Sequence, residues 1–179
     1  FCTGLSLTLA VTLGCTACTP ALNWREYRSP DGFIITLPGR SQTVSREVVL
    51  PDAAVHMSMT SVGVGATLFA VGSAQLPPNI SSNAQARQRS LALLRDALVR
   101  NINGKVVRGS ALELALHPHK ILAAEQIEAT GSNANGRAVR LAARLFIVDD
   151  RVFQIVALGG DGEISPDVLD TFFASFRLL

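Results

Sequence analysis

Hydrophobic positions divide the chain into an uncharged apolar head and a body in which apolar residues recur at two periods. Phe33, Ile35 and Leu37 alternate with their neighbours, the period of a half-buried strand, and Pro38-Gly39 ends the run. Further strands are expected over residues 24–28, 43–50, 53–61 and 66–74, joined by turns at Ser29-Pro30-Asp31-Gly32, Pro51-Asp52 and Gly63-Val64-Gly65. Over 53–61 the alternation puts Val55, Met57 and Met59 on one face and His56, Ser58 and Thr60 on the other. Pro77-Pro78 closes this β-rich half, and the period then changes. Leu91, Leu94, Leu98 and Ile102 form one stripe at helical spacing with Arg89 and Arg100 opposite, which predicts a helix over 84–101. Ser81, Ser82 or Asn83 can cap it, and Asn103-Gly104 ends it.

Four more strands follow, over 105–114, 121–130, 138–148 and 152–158, with a polar hairpin loop at Ser132–Gly136 and a tighter one at Asp149-Asp150-Arg151. Val139, Leu141, Leu145 and Ile147 share a face of the third, so Arg140 and Arg144 point to its other side. Ser165-Pro166-Asp167 combines an N-cap, a proline in the first helical position and an acid in the first turn. Val168, Leu169, Phe172, Phe173 and Phe176 then form the wide apolar stripe of a terminal helix that docks on the sheet. Strands interrupted by one helix and closed by another define an α+β class: a mainly antiparallel sheet flanked by a middle helix and a C-terminal helix.

The head changes the picture of where this domain works. Leu5 to Leu13 carries no charge and has the length of a secretory h-region, about 7–15 residues, whereas a membrane span needs about 20. Gly14-Cys15 and Ala17-Cys18 each place a small residue before a cysteine, which resembles the lipobox of bacterial lipoproteins. In that family the cysteine is acylated and becomes the mature N-terminus. Thr12-Leu13-Gly14 fits the pattern before Cys15 better than Cys15-Thr16-Ala17 does before Cys18, so Cys15 is the first candidate and Cys18 the alternative. An N-terminal helix or strand of the mature fold is the competing reading, and the lack of any polar face weighs against it. The resemblance implies a palmitate-bearing, periplasm-facing protein anchored to the membrane of the bacterial cell envelope. Thr16 or Thr19 in place of Asp after the cysteine resembles lipoproteins sent on to the outer membrane. The organisation expected is 1–18 as signal peptide and lipobox, 19–23 as a short tether, and 24–179 as a single domain.

Cysteine usage agrees with that division, because Cys2, Cys15 and Cys18 all fall in the head. The body therefore relies on its core, not on disulfides, and at about 160 residues it is long enough to bury roughly two-thirds of its unfolded surface. A net charge of +2, with no basic cluster, argues against a dedicated nucleic-acid binder.

Three features together resemble the PsbP-like (DcrB-like) fold of small bacterial lipoproteins and secreted domains. They are Ser29-Pro30-Asp31-Gly32-Phe33 leading to Leu37-Pro38, the middle helix, and a late hairpin followed by a helix ending in Ser175-Phe176-Arg177-Leu178. The resemblance implies an α/β/α sandwich that serves in binding or assembly, with no catalytic set shared by the fold. It transfers no site residue.

Candidate chemistry is sparse. His117-Pro118-His119 is the one close pair of metal-ligand side chains, and the body adds only His56, short of the four ligands of a structural zinc site. An exposed loop is the simpler reading of the pair, and a polar strand face that of His56. Asp149-Asp150 and Asp161-Gly162-Glu163 read as turn residues, since neither belongs to a calcium-loop pattern. The body contains no Gly-x-Ser-x-Gly, Ser-x-x-Lys or phosphate-binding loop. Arg89, Arg100, Arg140 and Arg144 are the basic residues proposed for a partner or headgroup surface, the alternative being a solvated helix face and pairs with Glu125 and Glu128. The function expected is a membrane-tethered, non-enzymatic binding or assembly factor that needs no metal or cofactor. The alternative is an envelope enzyme or weak metal-handling protein using His56, His117 and His119.

Overall fold

A computed structural model describes residues 22–179 except 115 and 117, so the apolar head with Cys15 and Cys18, and His117, lie outside the described residues. Within it β1 (Arg25–Ser29) and β2 (Phe33–Leu37) form a hairpin closed by a turn in which Gly32 takes φ +81°. β3 (Gln42–Leu50), β4 (Ala53–Val64) and β5 (Thr67–Gln75) follow as a meander. A short helix, α1 (Pro78–Ser81), leads into α2 (Ala84–Asn101). β6 (Lys105–Ala111), β7 (Ile121–Ser132), β8 (Ala138–Val148) and β9 (Arg151–Gly159) form a second meander, and α3 (Pro166–Ala174) and β10 (Arg177–Leu178) complete the chain.

The strands assemble into two antiparallel sheets. One has seven strands in the order β3-β4-β5-β9-β8-β7-β6; the other has three, in the order β1-β2-β10. The two meanders meet where β5 pairs with β9, Val71 opposite Ile155. Alternation along the central strands assigns the faces. Val139, Leu141, Leu145 and Ile147 of β8 join Val152 and Val156 of β9 and Val55 and Met57 of β4 in a cluster closed by Leu91 and Leu94 of α2. The intervening Phe146 and Val148, with Phe69, Phe153 and Ile155, join a second cluster closed by Phe33, Ile35 and Leu37 of the small sheet and Phe172 and Phe173 of α3. The seven-stranded sheet is therefore covered on both faces, by α2 on one side and by α3 with the three-stranded sheet on the other. This is an α/β/α sandwich with an added β-layer.

Cover on both faces buries more of the central strands than a single alternating stripe would. Leu145 to Val148 and Val152 to Ala157 are buried at every position, because neither side of β8 or β9 meets water there. In β4 the core side changes along the strand. Val55 and Met57 are buried against α2, whereas Thr60 and Val62 are buried on the opposite face, toward the small sheet, the side on which alternation places Thr60. Its hydroxyl is satisfied by Thr43 at 2.8 Å.

Several boundaries differ from those expected. β4 extends to Val64 because it pairs with β5 out to Thr67, which brings the turn to Gly65 (φ +60°). β6 stops at Ala111, not 114, and Leu112, Leu114 and Leu116 turn inward onto the α3-side cluster. Pro77-Pro78 does not merely end the strand: Pro78 opens α1 from a position where its missing N–H costs nothing. The stripe through Phe176 suggested one continuous terminal helix, but α3 ends at Ala174. Arg177 and Leu178 pair with Ile34 and Phe33 of β2.

Candidate functional site: an arginine-bearing groove beside the C-terminal helix

On the α3 side of the sheet, α3 covers β8 and β9 and leaves the outer strands β7 and β6 as the floor of an open groove. Strand register sets its side chains out in rows. A bulge at Val107 shifts the pairing of β6, after which Arg108 stands opposite Glu128 and Ser110 opposite Gln126. On β7 and β8, Gln126 is opposite Arg144, Glu128 opposite Ala142 and Thr130 opposite Arg140. One row across the strands thus reads Ser110, Gln126, Arg144; the next reads Arg108, Glu128, Ala142. Ala142 separates the two β8 arginines with a single methyl, which leaves room between them. Leu169, Asp170 and Phe173 of α3 form the facing wall of a depression of about 200 Å³. It opens into a wider trough of about 690 Å³ bounded by Gly160, Asp161 and Ile164.

The charges of the groove are largely paired. Arg108 meets Glu128 at 3.3 Å, and Arg140 meets Glu128 at 3.6 Å and Asp161 at 3.1 Å. Arg144 differs. Its guanidinium lies 4.5 Å from the centre of the Phe173 ring, half-buried, and makes no hydrogen bond or ion pair among the described residues. Burial pulls its pKa below the ordinary arginine value, and the charge of Asp170, which is exposed on α3, offsets part of that. The guanidinium meets the ring through a cation–π contact, and its N–H donors have no acceptor among the described residues. The groove thus presents a fixed cationic donor beside an apolar wall.

Of the four arginines proposed from the sequence, the fold brings Arg140 and Arg144 together. Arg89 and Arg100 belong to α2, on the opposite face of the sheet, and share no surface with them. Arg89 is held by Asp52 at 2.8 Å, and Arg95 of the same helix reaches Glu125 at 3.3 Å. Arg108, Ser110, Gln126 and Phe173 are groove residues that sequence reasoning missed. Alternation placed Arg144 correctly, but only the strand order β8-β7-β6 shows what stands beside it.

The two described histidines, His56 and His119, stand on separate segments of the chain. His56 is exposed on β4, in register with Glu47 of β3. His119 Nδ1 lies 3.1 Å from Asp149 Oδ2, at the edge of a shallow recess formed with Asp31 and Arg151. In that recess the Ser73 hydroxyl donates to Asp31 at 2.5 Å, Arg151 lies 3.6 Å from Asp31, and Gln75 donates to Asp150 at 2.5 Å. The two contacts of Asp31 fasten the β1–β2 turn to the end of the large sheet. Asp149, in the left-handed region at φ 52°, and Asp150 turn to different partners, as the hairpin reading expected. No group of three or more His, Cys, Asp or Glu side chains among the described residues is placed to hold a metal ion. No helix among them is long and apolar enough to cross a membrane.

The architecture is the PsbP-like fold. Cyanobacterial PsbP (CyanoP) from Synechocystis superposes with a TM-score of 0.53 at 12% identity, over 93% of this chain and 98% of that one. A Pseudomonas aeruginosa protein of unknown function matches at a TM-score of 0.38 and 13% identity, over 82% of this chain and 85% of its own. No protein-family model and no curated protein matches the sequence.

Proposed function

We propose that this protein is a membrane-tethered envelope lipoprotein that acts as a non-enzymatic binding or assembly factor, with the groove beside α3 as its docking face. The observation that carries the binding role is Arg144, a half-buried cation fixed on Phe173 at the base of an open depression and left without an acceptor. Removing an arginine from water without pairing it costs stability, and a ligand's acceptor would recover that cost. The PsbP-like fold supports a binding scaffold, and the uncharged head with its small-residue–cysteine steps supports the lipid anchor.

The anchor and the docking face are tested separately. Cys15→Ser is expected to abolish palmitate labelling in cells while Cys18→Ser leaves it intact; the reverse pattern moves the anchor to Cys18, and labelling that survives the double change removes the tether from the proposal. For docking, a photocrosslinking amino acid at Ser110, on the rim of the groove, is expected to capture a discrete envelope partner in cells. The same probe at Arg100, on the α2 side, is expected not to. Equal capture from both positions would refute the assignment of the docking face.

A further inference from the structure

Resting on the reading of the α3-side groove as the docking face, we infer that Arg144 anchors an acidic residue of a partner polypeptide. The side-chain carboxylate of that residue meets the guanidinium edge, and an apolar neighbour in the same segment lies against Ala142, Leu169 and Phe173. Four observations specify this occupant.

The first is charge. Arg108 and Arg140 are already paired with Glu128 and Asp161, so Arg144 is the groove cation that has no ion-pair partner among the described residues. Asp170 stands close enough to be felt by Arg144, without contact. One free cation with a carboxylate nearby matches a monoanion; a dianionic phosphate would be left under-compensated and repelled.

The second is geometry. The guanidinium carbon of Arg144 lies over the Phe173 ring, 4.5 Å from its centre, and the partner that uses a planar fork best is a planar carboxylate with two acceptor oxygens.

The third is the apolar wall. Beside the cation lie Ala142, Leu169 and Phe173, which favour a hydrocarbon next to the carboxylate over a fully hydrated anion.

The fourth is shape. Small molecules prefer enclosed cavities, but here the depression of about 200 Å³ runs into an open trough of about 690 Å³. Along its outer margin runs β6, an edge strand exposed at every position from Lys105 to Ala111. An open channel bordered by a free strand edge suits an extended chain.

The test uses the full chain in an uncharged detergent and follows the Arg144 side-chain Nε–Hε resonance by NMR. The probes are a blocked hexapeptide, acetyl-Ala-Leu-Glu-Leu-Ala-Ala-amide, its Gln counterpart, and N-acetyl-leucine as a small free carboxylate. The Glu peptide is expected to produce a saturable shift, with the Gln peptide at least about tenfold weaker. Backbone amides of Ser110, Gln126 and Phe173 report the variants. In R144M and R144K binding of the Glu peptide is expected to fall at least about tenfold, R144K because an ammonium lacks the fork. Asp170→Asn is expected to strengthen it about two- to threefold by removing the competing charge. Unchanged amide spectra on the α2 side show that the variants remain folded. Equal binding of the Glu and Gln peptides, retention of affinity in R144M, or tighter binding of N-acetyl-leucine than of the Glu peptide would each overturn the inference. If the Ser110 crosslink persists in R144M cells while the Glu peptide fails to bind, the docking face stands and the acidic anchor falls. If the Glu peptide binds while Ser110 captures nothing, the anchor stands and the docking role falls.

Discussion

A methyl group at Gly131 has nowhere to go. A Cβ built there runs into the carbonyl oxygen of Ile102 and comes within 2.8 Å of the Gly104 Cα. Both are backbone atoms, and neither can rotate away. The close approach exists because the end of α2 docks on β7, where Ser132 N–H donates to Ile102 O at 2.6 Å. Gly131→Ala is expected to destabilise the fold by roughly 1–3 kcal/mol, seen as a lower urea midpoint with an unchanged slope. An unchanged midpoint would mean that the helix end shifts freely. Nothing local marks this glycine. Its neighbours make an ordinary strand end, and the constraint comes from a carbonyl 29 positions earlier in the chain. Asn83 is the contrary case, because its side chain accepts from Gln85 N at 2.9 Å and Ala86 N at 3.0 Å. That cap was among the three candidates the sequence offered, since capping chemistry is satisfied within one turn.

At the scale of elements, α3 shows which parts of a helix are local. Ser165, Pro166 and Asp167 mark its start, and the apolar stripe marks the face it buries. Phe172 is fully buried, 5.1 Å from Phe69, and anchors the helix to the sheet. Phe172→Ala is expected to cost about 3–5 kcal/mol, against about 1 kcal/mol for Asn83→Ala at the start of α2. Urea denaturation of the two variants checks the order, and a smaller loss for Phe172 would show that α3 is not what closes the second cluster. The end of α3 was not legible. Phe176 continues the stripe, yet it lies past the helix among Phe33, Phe146 and Phe153, at 5.6, 5.3 and 5.2 Å between ring centres. Its position depends on β10 pairing with β2, a strand more than 140 positions away.

Across the whole molecule, stability should follow strand order. β9 and β8 lie inside the sheet with both faces covered, whereas β6 is an exposed edge with a bulge. Amide hydrogen exchange is expected to be slowest in β8 and β9 and fastest among the strands in β6. Uniform protection across the seven strands would contradict this layering. A soft β6 edge is also what an incoming peptide strand would need, so the exchange pattern bears on the docking face as well.

What the sequence determined by itself is what period and punctuation carry. Alternation gave most of the strands and the side of β8 on which Arg140 and Arg144 stand; caps and prolines gave the helix starts; the cysteine-free body left the fold to its core. These are local properties, decided over a few residues by backbone geometry. The tertiary structure alone decided which side of the sheet each amphipathic helix would cover. That choice separated Arg89 and Arg100 from Arg140 and Arg144 and set Arg144 over the Phe173 ring. It also decided that β6 and β7 would set Arg108, Ser110 and Gln126 beside Arg144. An amphipathic element records that it has a buried face but not which partner will bury it. That is settled by the joint burial of both faces of one sheet by segments far apart in the chain.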